Sequence, residues 1–130
     1  IKIAFRCAKT GKSAEFLDRS LVSCSSVSAD RLKEAALNGE EAVLSYLEGT
    51  EYAEAAEKYR ESTSAFEKWA DDRITDCVGD ARYKSFGIEP VVAYYVARTA
   101  EINSVRIILS AKKNHQPADV MRKRVRKLYV

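Results

Sequence analysis

Residues 88–113 read IEPVVAYYVARTAEINSVRIILSAKK. The one proline, Pro90, stands in what would be a first helical turn, where its missing N–H would be unpaired anyway. Nothing later in the stretch interrupts a helix. The reading is one helix from about Ile88 to Lys113, roughly 39 Å long at 1.5 Å per residue. Phe86-Gly87 is its connector on one side. On the other, Asn114-His115-Gln116 is a turn, and Pro117 opens a last helix to about Leu128.

Upstream, the same signals recur. Ile1 to Lys9 reads as the end of a helix stopped at Thr10-Gly11, where glycine suits a left-handed cap. Ser13 caps Ala14 to about Val22, the serine-rich stretch 23–28 is a loop, and Ser28 caps Ala29 to Leu37. Asn38-Gly39 separates that helix from Glu40 to Glu48. From Glu51 to about Tyr83, Tyr52, Ala55, Ala56, Tyr59, Phe66, Trp69, Ile74 and Cys77 recur at helical spacing. Ser62-Thr63-Ser64 is the place where this run would kink or split. No stretch alternates as a strand would. The expected fold is all-α, with six or seven helices, two of them long.

Composition agrees. The 130 residues fit one domain, with 46% hydrophobic and 32% charged residues and only 5 glycines and 2 prolines. No apolar run approaches the length of a membrane-spanning helix, and no signal peptide is visible. The chain opens at Ile1 inside what reads as a helix, which points to a piece of a longer protein. Cys7, Cys24 and Cys77 are odd in number and far apart, without a CxxC or Cys/His ligand spacing, so reduced thiols are expected.

Residues 1–21 align without gaps onto 105–125, an offset of 104. Ile1, Ile3 and Phe5 meet Val105, Ile107 and Leu109. Thr10-Gly11-Lys12 meets Asn114-His115-Gln116, and Ser13 meets Pro117, both helix starters. This echo suggests tandem helical units of roughly 100 residues. Residues 1–22 then read as the end of a preceding unit with its first turn, and 23–130 as a carboxy-terminal unit, the whole forming one compact domain.

Charge is uneven along the chain. Residues 30–72 hold 12 acids and 5 bases, and residues 105–130 hold 8 bases and 1 acid. Arg122, Lys123, Arg124, Arg126 and Lys127 surround an apolar stripe of Ala118, Met121, Val125 and Leu128. Such a basic amphipathic helix suits a nucleic acid, an anionic membrane surface or an acidic protein, or is a docked helix with solvated charges. Glu101 has Tyr94, Ala97, Val105 and Ile108 as helical neighbours, so its carboxylate needs a partner. Arg98 is the nearest, Lys2 or Arg6 are alternatives across helices, and a partner on another subunit is the third. Asp71-Asp72 and Glu40-Glu41 diverge by about 100° on a helix and read as solvated surface. The lone His115 lies in a turn with no nucleophile motif beside it, and no phosphate-binding glycine loop is present.

Phe86-Gly87-Ile88-Glu89-Pro90-Val91-Val92-Ala93-Tyr94, then Ala100-Glu101-Ile102-Asn103-Ser104-Val105-Arg106-Ile107-Ile108-Leu109-Ser110, and the ending Leu128-Tyr129-Val130, resemble a carboxy-terminal signature. It is that of the C-subunit family of V-type (A/V-type) ATP synthases, whose eukaryotic relative is the d-subunit of the V-ATPase. Arg6 to Lys12 and Leu32 to Tyr52 are similar to that family too. Members are well over twice as long as this chain and carry three similar helical units, so this chain resembles the last unit plus the end of the one before. The resemblance implies a non-catalytic, funnel-like rotor adaptor that couples a proteolipid ring to the central stalk subunits D and F for rotary ion transport. It would sit peripherally at the cytoplasmic face of the membrane. No cofactor, metal, small-molecule substrate, nucleic acid or catalytic position is implied. Glu101, Arg106 and Arg98 are then structural ion-pair candidates, and Arg122, Lys123, Arg124, Arg126 and Lys127 interface candidates. The rival reading is a basic helical nucleic-acid-binding domain.

Overall fold

The computed structural model describes residues 1–129, Arg82 by its backbone. The described residues form eight α-helices, one short 3-10 helix and no strand. Their packing gathers into two compact units, residues 1–61 and 62–130. That division is one of contacts, whereas the division at residue 22 is drawn from the sequence repeat.

The amino-terminal unit holds α1 (Lys2–Thr10), α2 (Ala14–Ser20), α3 (Ala29–Asn38), α4 (Glu40–Glu48) and α5 (Ala53–Glu61). Local chemistry sets each boundary. Ser13 and Ser28 accept hydrogen bonds from the Phe16 and Arg31 amides at the starts of α2 and α3. Each cap is worth about 1 kcal/mol. Gly39, at φ 110°, makes the sharp corner between α3 and α4. Leu32, Ala35 and Ala36 of α3 meet Val43, Leu44 and Leu47 of α4 in the core, and α1 packs across both helices with Ala4, Phe5 and Cys7 buried. The Phe5 ring stacks on Tyr59 of α5, with centroids 3.9 Å apart. Tyr59 donates to Glu40 at 2.7 Å. Burial, then that hydrogen bond and the Glu40 charge, push its phenol pKa up to about 12.

In the carboxy-terminal unit, α6 (Thr63–Cys77) leads into a 3-10 turn (Gly79–Tyr83), then α7 (Glu89–Lys113) and α8 (Ala118–Arg124). The expected long run from Glu51 to Tyr83 is divided at Ser62. There the backbone extends (φ −172°) and the hydroxyl caps α6 at the Ala65 amide. Serine offers the backbone that alternative to a continued helix. Helix α7 buries only small side chains, Ala93, Ala100, Ser104 and Ala111. Its neighbours α6, α8 and the 3-10 turn can therefore approach closely. Its bulky residues, among them Val91, Tyr95, Val105 and Leu109, point outward.

The repeat holds at the level of the backbone. Helices α2 and α8 both have 7 residues and begin and end at positions 104 apart. Gly11 has φ 62° and its counterpart His115 has φ 52°, the one non-glycine residue with positive φ among those described. The Lys12 amide reaches back to the Cys7 carbonyl at 3.3 Å, and the Gln116 amide to the Ala111 carbonyl at 2.9 Å. These are the same helix-closing bond made twice. Leu21 and Val125 both leave their helices in extended conformation with ψ 139°. The expected continuation of the last helix to Leu128 is thus corrected: α8 stops at Arg124.

Candidate functional site

The reason α8 stops lies across the unit, on α6. Beyond Arg124 the chain runs extended; the Val125 amide still closes the helix on the Met121 carbonyl, and the next two amides find side-chain acceptors in place of helical carbonyls. The Arg126 N–H donates to Ser104 Oγ at 3.2 Å and the Lys127 N–H to Asp72 Oδ1 at 2.6 Å. The Arg126 guanidinium pairs with Asp71 through Nε at 2.6 Å and donates from Nη1 to the Arg124 carbonyl at 2.7 Å. Lys127 Nζ pairs with Asp76, and the Tyr129 hydroxyl donates to the Val78 carbonyl at 3.2 Å. The side chains of Arg126 and Asp71 are 11% and 23% exposed. This is a partly buried, charge-assisted anchor that uses both a contact of opposite charge and several directed hydrogen bonds.

The five basic residues of the sequence therefore divide. Arg126 and Lys127 fasten the tail to α6. Arg122, Lys123 and Arg124, in the last turn of α8, are exposed. Their placement there also complements the helix dipole. Asp71 and Asp72, which read as solvated surface in the sequence, are acceptors of the anchor instead. Asp76 and Ser104 join them without having stood out in the sequence. For Ser104, buried at 5% exposure, the signal is a hydroxyl among the small residues of α7, one polar position on an otherwise packing face.

Arg98 and Glu101 form an ion pair one turn apart on α7, each about half exposed. The carboxylate is not held in an apolar interior, because Tyr94 and Val105 beside it are themselves exposed. Arg106 lies on the exposed surface and does not join that pair. Instead it lines a groove of about 600 Å³ with Thr63, Ser64, Asn114, Gln116, Arg124 and Arg126. Of the sequence-predicted residues, the structure thus brings Arg106, Arg124 and Arg126 together, joins Arg98 with Glu101, and leaves Arg122 and Lys123 at the rim of α8.

The Glu67 carboxylate lines the same groove, and the Arg126 guanidinium there is already engaged by Asp71. Among the described residues no three His, Cys, Asp or Glu side chains come together as a metal site. His115 stands in the left-handed turn after α7, exposed. No helix among the described residues is long and apolar enough to cross a membrane.

The profile of the ATP synthase (C/AC39) subunit matches residues 1–124. A similar curated protein is the C-subunit of the A-type ATP synthase of Methanocaldococcus jannaschii, 32% identical over 130 aligned positions that take in 92% of this chain. The chain spans about a third of that relative's length (33%). No solved structure matches. With its all-helical units, repeated helix–turn–helix element and a family match along nearly its whole length, the chain belongs to the ATP synthase C/AC39 subunit family.

Proposed function

We propose that the chain is part of a non-catalytic adaptor in the central rotor of a V/A-type ATPase or ATP synthase. In this reading it couples the proteolipid ring to the central stalk subunits D and F, peripherally at the cytoplasmic face of the membrane. The observation that carries the proposal is the family match over residues 1–124. The fold is suited to the task. A rotor part has to pass torque without bending, and α7 is a 25-residue helix braced by α6 and α8 through a small-residue face. Close packing of that kind transmits strain with little compliance.

Arg122, Lys123 and Arg124 are the contact residues on this reading. They are exposed, they carry one sign of charge, and an acidic protein surface would meet them with gains in encounter rate and orientation. Arg126 is a poor probe of the contact, because reversing its charge also breaks the Asp71 anchor.

The test is co-purification with a co-expressed central stalk pair. The folded chain should elute with it, and Arg122→Glu with Lys123→Glu should weaken the association without changing the helical signal. Failure of the wild-type chain to associate with the stalk pair or with the ring would sink the proposal. Micromolar, salt-sensitive binding to duplex DNA in a gel shift would favour the nucleic-acid reading instead.

A further inference from the structure

The repeat brings out one pair of aligned positions whose surroundings differ. Phe5 is 2% exposed, and Leu109, which aligns with it, is 61% exposed. Phe5 is covered because α3 and α4 pack across α1 and the Tyr59 ring lies on it. In the first copy the chain runs on from α2 through the serine loop to α3. In the second the aligned stretch, 126–129, is pinned to α6 by Arg126 and Lys127 and to the Val78 carbonyl by Tyr129. The described residues beyond α8 thus do not provide the helices that would lie over Leu109. Ile102 and Val105 precede Leu109 by seven and four residues and are exposed as well. Together the three make an apolar strip on one side of a helix.

The charge of the two copies differs in sign from what covers the first. Residues 105–125 hold Arg106, Lys112, Lys113, Arg122, Lys123 and Arg124 against Asp119, and the Arg98–Glu101 pair stands just before the strip on α7. Residues 27–61, which contain the helices that cover Phe5, hold nine acidic and four basic residues.

We infer that the outer face of α7 around Leu109 is a docking seat for a helical hairpin of the α3–α4 type, supplied by a neighbouring unit of this same fold. The occupant is an amphipathic pair of helices, apolar where it meets Ile102, Val105 and Leu109, and acidic at its rim. The inference rests on the repeat alone and is independent of the rotor reading.

The probe is the chain's own segment 27–61, appended after residue 130 through a Gly/Ser linker of about 20 residues. Such a linker leaves the tail anchored and gives the segment an effective concentration of about a millimolar. With Cys24→Ser and Cys77→Ser as background, Leu109→Cys reports on the seat, and the native Cys7, buried at 4% exposure, is the internal standard for full protection. Thiol labelling at position 109 should slow at least tenfold when the segment is appended. It should return to its original rate when the appended copy carries Leu44→Asp and Leu47→Asp. Val105→Cys, which keeps Leu109 in place, should behave the same way. Unchanged labelling at both reporters overturns the inference, and so does protection that survives the two aspartates.

Discussion

Arg126→Ala separates an anchoring arginine from the exposed bases beside it. The wild-type guanidinium holds Asp71 at 2.6 Å and the Arg124 carbonyl at 2.7 Å, with its side chain 11% exposed. A fully exposed pair contributes about 0–1 kcal/mol. Removing one member of a fully buried pair costs about 3–5 kcal/mol. Asp71 is 23% exposed, so this pair lies between those limits, and a loss of about 2–3 kcal/mol is expected. Arg122→Ala, in the same basic run but on the solvent side of α8, should cost less than about 0.5 kcal/mol. Trp69 supplies the assay. It lies on α6, 6.2 Å from Phe66 between ring centroids, so its fluorescence follows unfolding of the carboxy-terminal unit in urea. A double-mutant cycle with Asp71→Asn isolates the coupling, expected at about 1–2 kcal/mol. A coupling below about 0.3 kcal/mol, or equal effects of Arg126→Ala and Arg122→Ala, would refute the argument that the tail is anchored through this pair.

The two turns of the repeat should respond oppositely to substitution. Gly11→Ala places a Cβ at φ 62°, where no neighbour lies within 4 Å, so strain alone should cost about 1 kcal/mol; His115→Gly relieves φ 52° and should gain a few tenths to about 1 kcal/mol, both read by urea midpoints. Phe5→Ala should cost about 3–5 kcal/mol in the amino-terminal unit, whereas Leu109→Ala in the isolated chain should cost well under about 1 kcal/mol because that side chain is already in water. Tyr59 should ionise near pH 12 in an ultraviolet titration, about two units above an ordinary tyrosine. Because its folded pKa is raised, its contribution to stability is intact below about pH 10 and is lost as pH rises from there through 12; Tyr59→Phe removes that slope, and an unchanged slope would show that Tyr59 does not cause it.

Local chemistry made much of the fold legible. Ser13, Ser28, Gly11 and Gly39 act within three or four residues of themselves, so their effect on helix ends can be read without knowing what packs where. The helical run that begins at Ile88 was legible for the same reason: nothing within it competes with the i to i+4 bond. The break at Ser62 was harder. Three hydroxyl residues mark a weak point in a helix, but whether the chain breaks there depends on whether packing on either side rewards continuing. In the structure the break falls at the division between the two compact units.

The basic run 122–127 shows the limit of periodicity more sharply. On an ideal helix all five charges surround a stripe led by Met121 and Val125, and nothing local distinguishes Arg124 from Arg126. What separates them is a set of acceptors about fifty residues away. Asp71 and Asp72 look like divergent surface carboxylates along α6, and they do diverge, but an extended segment beside the helix offers a guanidinium to one and a backbone amide to the other. Divergence argues against a shared ligand on a single site. It favours binding an extended segment whose successive groups are themselves spaced apart. The tail thus gives up the helical bonds of 126–129 for five directed contacts on α6, α7 and Val78. That exchange fixes the end of the repeat against its own unit and leaves Arg122, Lys123 and the Leu109 face turned to solvent.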